Sequence, residues 1–584
     1  MVALDGDTNL NALFLMNPPD RVTHPLAWLW RHPLLLVILA NLVFSLGIWN
    51  AQDGYGEDMG PVKTALYNIQ TQSVNGDLYV KTFTLFLNGI TPDPVHAGVL
   101  MRFLVSLFTS VSLYLVLSCF SNHLGRGCIL FVCFVWTASY LNAPAIQSTS
   151  ASGFAFGVMM LGIYCLLGDW SVAGAIGFYF FGLTAASLRP EYMAPVLLMT
   201  ALFIVIGVLK CTTYLEALTG FPRFKMRLGV LFLMLIIAIG MIVHPSRGVR
   251  KKMQYCDRYL FYGFGQCYAD FYRREHPLEI FDPMTEWEWL LKRDFGDPKN
   301  FTSILRNNPR ESARYFFLNT VGNIAGIPRQ LFITRDKGAG IGDKRLYRLV
   351  LTLLIFGGLL GIGRLRRLCV DSLGENRAGG WRARLNLFFQ KRKALLRKIL
   401  ILFILTSASS AAIVMLVPTP RYWISIVPLL YVILAFAVDC LLKQLRLLRF
   451  EPCMVALSFV GFCSPNFIVP HPCFEVRALQ HIAPLVRDHP VIGAWWAQPE
   501  CVFAFRGDAR DISISDGINA GDIIAGRFDI LSIDGNFRGT GTWLRQHEFF
   551  EDFVNEPEKY GFKKVTDVPT GRFSIFYRPK PVAQ

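Results

Sequence analysis

Three carboxylates, Asp53, Glu57 and Asp58, fall within the twelve residues Trp49–Gly60, directly after a long apolar run. Acidic residues are scarce in this chain, with 42 Asp and Glu against 58 Lys and Arg. A carboxylate held at a membrane boundary can take the proton from a hydroxyl while the other reactant stays dissolved in lipid. Two arginine motifs lie far away in sequence: Ser187-Leu188-Arg189-Pro190-Glu191-Tyr192 and Pro418-Thr419-Pro420-Arg421-Tyr422. His244 and Arg247 close another apolar run. A guanidinium presents a planar fork of donors that matches phosphate oxygens. Acid and arginines together suit a lipid phosphate or diphosphate with a base working beside it. The plainer alternatives are a solvated acidic loop, an Arg189–Glu191 pair, and an Arg421 that binds backbone carbonyls at a broken helix.

The elements that must position these groups are membrane spans. The chain is 53% hydrophobic and only 17% charged, against about 25% charged residues in soluble domains. A span needs about 20 mostly apolar residues. Eleven segments qualify: 32–50, 98–120, 126–142, 150–168, 170–188, 193–210, 226–244, 346–363, 398–417, 422–441 and 451–468. The formal net charge of +16 would suggest nucleic acid if it were spread over a soluble surface. It is concentrated instead in segments 210–227, 364–398 and 443–449, which is a topology signal. With the N-terminus inside and eleven crossings, all three basic segments fall on the cytoplasmic side. The basic run 364–398 also suits anionic lipid head groups, and no nucleic-acid partner is expected.

That orientation places loop 50–97, segment 245–345, the turn at Arg421 and everything after residue 469 on the non-cytoplasmic side. Pro61–Gln70 and Asp77–Leu87 have the mixed pattern of short interfacial helices. Segment 245–345 is rich in aromatic and charged residues, and Pro309 predicts the first turn of a helix running through Tyr315, Phe316 and Phe317. Beyond the last span, 491–495, 501–505, 511–515, 529–533 and 573–577 read as short strands and 543–554 as a helix, the mark of a small α/β domain. The organisation is therefore a membrane module over 1–469 and an α/β domain over 470–584. The 13 cysteines show no metal-ligand spacing; Cys256 with Cys267, and Cys473 with Cys501, are the pairs an oxidising compartment would allow.

The layout resembles the GT-C class of integral-membrane glycosyltransferases, which take a sugar from a polyprenyl-phosphate carrier. The resemblance spans essentially the whole chain: an acidic first external loop, interfacial helices behind it, Arg189-Pro190-Glu191, Pro420-Arg421-Tyr422 and an outer C-terminal domain. It implies a polytopic α-helical membrane protein of about eleven transmembrane helices, placed in a bacterial inner membrane. By that resemblance Asp58 is the first choice for general base, Glu57 the second and Asp53 the third. Arg189, Glu191, Arg421, Tyr422, His244 and Arg247 would bind the donor phosphate. The reaction would be direct displacement at the anomeric carbon, with inversion, onto a glycan, lipid or protein acceptor. No cofactor and no obligatory metal is expected, with a divalent ion bridging Asp58 and a lipid phosphate as the alternative. Trp495, Trp496 and Trp543 are candidates for an acceptor surface or for ordinary core.

Two other classes compete. A transporter or flippase of a lipid-linked substrate predicts internal repeats and paired broken helices; the chain shows no convincing repeat. A non-catalytic assembly subunit predicts that Asp58 and Arg421 are dispensable and residues 470–584 are not.

Overall fold

The computed structural model describes residues 30–45, 78–90, 94–138, 150–168, 170–219, 247–276, 286–332, 381–415, 424–447, 451–463, 474–494, 513–515, 518–538, 541–568, 570 and 573–580, with Ala65, Asn68, Gln72 and Pro283. The first half is a succession of apolar helices: α1 (Pro33–Ser45), α2 (Leu78–Gly89), α3 (Pro94–Ser118), α4 (Arg126–Ala138), α5 (Ser150–Gly168), α6 (Val172–Leu188) and α7 (Met193–Thr219). Then come α8 (Arg247–Glu275), α9 (Trp287–Phe295), α10 (Phe301–Asn307) and α11 (Pro309–Phe332), followed by α12 (Trp381–Leu405), α13 (Ser407–Met415), α14 (Val427–Gln444) and α15 (Glu451–Cys463). Among the described residues one helix, Ile424–Gln444, is long and apolar enough by itself to cross a membrane; six shorter apolar helices accompany it.

The helices pack where small residues let them approach, as expected where lipid offers no hydrophobic drive. The α5–α6 hairpin is the tightest case. A Cβ at Gly162 would sit 3.2 Å from the Phe178 carbonyl oxygen, and one at Gly177 would sit 2.9 Å from Cys165 Sγ. Ser171 caps α6, accepting from Gly174 N at 3.4 Å. One polar knot ties three helices. Asn41 of α1 is fully buried. Its Nδ2 donates to Val37 O (2.9 Å) and Thr137 Oγ1 (3.5 Å), and its Oδ1 accepts from Ser106 (3.2 Å) and Ser110 (3.1 Å). A buried amide is tolerable in an apolar bundle when its donors and acceptor are all used.

The eleven expected spans meet the structure unevenly. Seven coincide closely with α1 and with α3 to α7, together with the helix through Ile424–Gln444; α15 begins where the last was expected. Segments 226–244 and 346–363 lie outside the described residues. The span expected over 398–417 is different: its helix starts at Trp381, breaks at Thr406 and resumes as α13. Arginine and lysine are good helix formers, so the helix extends through the basic run and hydropathy marks only its apolar part.

α8 to α11 form a separate core around Phe264, Tyr268, Trp287, Phe295 and Tyr315. A Cβ on Gly265 would meet the Trp287 ring at 2.2 Å, so glycine is required for α8 and α9 to touch. α9 stops at Gly296 in the left-handed conformation (φ 65°), and Asn300 starts α10 with a capping box to Ser303. α11 begins at Pro309 as expected. Cys256 and Cys267 both lie on α8, eleven positions apart and hence about 16 Å along its axis. They cannot bridge, and Cys267 is a free thiol.

The C-terminal residues build a five-stranded mixed sheet of order β2-β1-β3-β5-β4, from β1 (Val491–Ala494), β2 (Ser513–Ser515), β3 (Ile530–Asp534), β4 (Lys563–Lys564) and β5 (Phe573–Tyr577). β1 runs parallel to β2 and β3; β5 is antiparallel to β3 and β4. Strand alternation divides the core. Ile530 and Ile575 face helix α16 (Phe474–Ile482), while Leu531 and Phe576 face Phe550 and Phe553. The helix expected over 543–554 is two, Gly541–Arg545 and His547–Asn555, separated at Gln546. The strand expected over 501–505 lies outside the described residues.

Candidate functional site

Arg189 ends α6. Pro190 cannot donate a backbone hydrogen bond and restricts the residue before it to extended geometry, so Arg189 leaves the helix at φ −137° and a 3-10 turn, Pro190–Tyr192, follows. The Arg189 Nη2 donates to Ser152 Oγ, in the first turn of α5. Its Nε is buried and has no hydrogen-bond partner. The expected alternative, an Arg189–Glu191 ion pair, does not form: no such contact exists between these two described residues. A buried guanidinium N–H with nothing to bind costs free energy comparable to a lost charged hydrogen bond. Tyr192 is buried beside it, and burial, with the Glu191 charge adding, pushes its hydroxyl well above the ordinary tyrosine range. It is a neutral hydroxyl across the physiological range.

The Pro190–Tyr192 turn packs on α13, whose chain continues towards Pro418–Tyr422. The two sides of that motif are clipped together by a hydrogen bond between the buried Ser409 and Ser425 hydroxyls. α11 is fastened to the same place, Asn319 Nδ2 donating to Val414 O at 3.0 Å. The structure thus brings the Arg189 turn, the base of the Arg421 segment and the aromatic helices α8–α11 to one end of the bundle. Arg247 is the first residue of α8. Asp53, Glu57, Asp58, His244, Arg421 and Tyr422 lie outside the described residues.

The opposite end gathers basic residues with carboxylates that are already engaged. Asp439 accepts from Gly125 N (3.2 Å) and pairs with Lys443 (2.6 Å), and Glu451 accepts from Gly127 N (3.3 Å). Two carboxylates thereby cap the positive end of α4. Lys398 donates to Cys119 O, and Arg397 lies 5.0 Å from the centre of the Trp170 ring. Cys128, Asp439 and Glu451 have ligand atoms within 4.8 Å of one another. Those atoms face backbone N–H groups and an ammonium, so the cluster reads as a helix cap.

Sequence reasoning missed two features. Ser152 as the Arg189 partner had no local signal, since it is 37 residues away. The second is a cavity of about 420 Å³ between α8, α9 and α11. Trp543, one of the candidate acceptor aromatics, is core: it is 2% exposed and stacks on Phe550 with ring centres 4.9 Å apart. Trp495 and Trp496 lie outside the described residues.

No family model matches the chain, and no curated protein does. Two solved structures align with it over 93% of its length and 97% of theirs, each at 12% identity: ArnT from Cupriavidus metallidurans in the apo state (TM-score 0.42) and ArnT from Cupriavidus metallidurans bound to undecaprenyl phosphate (TM-score 0.43). At that identity and score the chemistry is read from this chain's own residues.

Proposed function

We propose that the protein is an integral-membrane glycosyltransferase of the GT-C type, moving a sugar from a polyprenyl-phosphate donor to a glycan, lipid or protein acceptor on the non-cytoplasmic face of a bacterial inner membrane. The observation that carries this reading is Arg189: a guanidinium at the end of an apolar hairpin, held by one neutral hydroxyl, with a buried N–H that no group among the described residues uses. A donor of that kind is complementary to a phosphate oxygen. In this mechanism Asp58, with Glu57 and Asp53 as second and third choices, deprotonates the acceptor hydroxyl. The acceptor oxygen then attacks the anomeric carbon as the bond to the carrier phosphate breaks, inverting the sugar. The departing phosphate needs positive charge and not a proton, supplied by Arg189 and Arg421, with Arg247 and His244 nearby in the chain. Glu191 and Tyr422 complete the donor-phosphate set. No metal or cofactor step is required.

The test is transfer of radiolabelled sugar from polyprenyl-phosphate donors by the purified full-length protein, compared with Asp58→Asn and Arg189→Gln. Asp58→Asn keeps side-chain volume and removes the charge; Arg189→Gln removes the guanidinium and shortens the side chain. Turnover by the wild type that collapses in both variants supports the reading; equal turnover in all three proteins overturns it.

A further inference from the structure

The cavity between α8, α9 and α11 is lined by charged groups that hold one another in place. Arg293 of α9 makes a two-pronged contact with Asp294 (2.7 and 3.0 Å), and its Nη1 donates to Tyr272 (3.0 Å). Arg314 of α11 reaches Glu275 (2.7 and 2.8 Å) and Glu311 (3.0 Å). The two halves are joined by Tyr268, whose hydroxyl lies 2.8 Å from Asp294 and 3.2 Å from Glu311. Burial, with the half-buried Asp294 and Glu311 carboxylates adding, pushes the Tyr268 hydroxyl far above its ordinary range, so it stays a donor.

We propose that this cavity binds one ring of a neutral saccharide, and that it is the acceptor-side recognition pocket of the protein. At about 420 Å³ it falls within the usual range of small-molecule sites, about 300–1,000 Å³. Donor-only guanidinium groups alternate around it with acceptor-only carboxylates. A sugar hydroxyl is both donor and acceptor, so each can donate to a carboxylate while accepting from the guanidinium beside it. The alternation also decides against other ligands. Three carboxylates repel a phosphate, a metal ion would have to displace the guanidinium forks, and the polar lining offers an apolar ligand nothing. Trp289, 56% exposed, is not part of the lining but lies one helical turn before Arg293, whose guanidinium is 5.1 Å from its ring centre, and offers a flat apolar face beside the pocket. The pocket's helices are fastened to the Arg189 end of the bundle through Asn319 and Val414. Saccharide binding stands on this geometry alone; the acceptor role rests on the glycosyl-transfer reading.

The experiment is saturation-transfer NMR on the full-length protein in detergent. The probes are methyl β-glucopyranoside, methyl β-galactopyranoside, methyl α-mannopyranoside and N-acetylglucosamine. Wild type should give a transfer signal with at least one of the four. Glu311→Gln removes the acceptor charge at constant volume and should weaken binding about tenfold, and Trp289→Ala, an exposed change that leaves the fold intact, should weaken it too. No signal from any of the four with wild type, or signals unchanged in both pocket variants, overturns the proposal. Saccharide binding that is lost in Glu311→Gln, in a protein that transfers no sugar from polyprenyl-phosphate donors, leaves the pocket standing and removes the transfer reading. Sugar transfer by a protein that binds none of the probes does the reverse.

Discussion

The two ends of the helix bundle differ in which charges they hold and in what those charges touch. At the basic end, Asp439 and Glu451 are spent on backbone N–H groups of Gly125 and Gly127 and on Lys443, and their work is to fix where α4, α14 and α15 meet. At the other end, Arg189 has one neutral hydroxyl partner and a buried Nε left over; Arg397 of the basic end also keeps a buried, unpartnered Nε, but lies against the Trp170 ring, 5.0 Å from its centre. A buried N–H without a partner costs stability, and at Arg189 no aromatic face or carboxylate among the described residues offsets it. The carboxylates of the basic end read as architecture, and Arg189 is the place proposed for a bound phosphate.

The comparison can be broken at several strengths. The largest effect belongs to the proposed base: Asp58→Asn should lower sugar transfer by about 10²–10⁴-fold, with the melting temperature unchanged. Arg189→Gln comes next, a loss of about tenfold to a hundredfold in transfer for one charged contact. That change should keep or raise thermal stability, since it removes an unsatisfied group; a clear drop in melting temperature would make Arg189 architectural. Asp439→Ala should behave in the converse way, costing about 2 kcal/mol in denaturation measurements by leaving Lys443 and the start of α4 uncapped, with transfer in the surviving protein retained. Asn41→Ala should cost about 1 kcal/mol, read in the same unfolding assay, because its serine partners can turn to their own helix carbonyls.

The smallest effect lies in the C-terminal sheet. The Tyr560 hydroxyl and the Lys559 ammonium hold the Asp552 carboxyl below its usual range. A depressed carboxylate contributes stability that is present above the ordinary value, near pH 4, and is lost as pH falls through the lowered one. Protection factors at the Phe573–Tyr577 amides of the full-length protein, exchange rates corrected for the intrinsic rate that itself slows in acid, should therefore fall on acidification below about pH 4. Asp552→Asn should flatten that dependence.

What could be read from the chain follows how local each signal is. The α5–α6 hairpin was legible to within two residues, because apolar length and the Gly168–Ser171 turn are written in consecutive positions. Arg189 stood out for the same reason, as a charge beside Pro190 between two spans. Its partner was not legible: Ser152 looks like any serine until the hairpin folds. The cavity was hidden likewise, since Glu275 and Arg314 are 39 residues apart, and the segment around it read only as rich in aromatic and charged residues. The two-residue strand Lys563–Lys564 carries no periodicity at all, and the break at Gln546 interrupts a pattern that is continuous in hydrophobicity.

The clip between Ser409 and Ser425 has a bearing on how this chain can vary. Each hydroxyl sits in a buried place where its partner is the other. Loss of one strands its mate, while loss of both removes the need, so the single changes should cost more together than the double. The two positions form a unit of inheritance: a lineage trading serine for alanine there passes more easily in one paired step than in two separate ones.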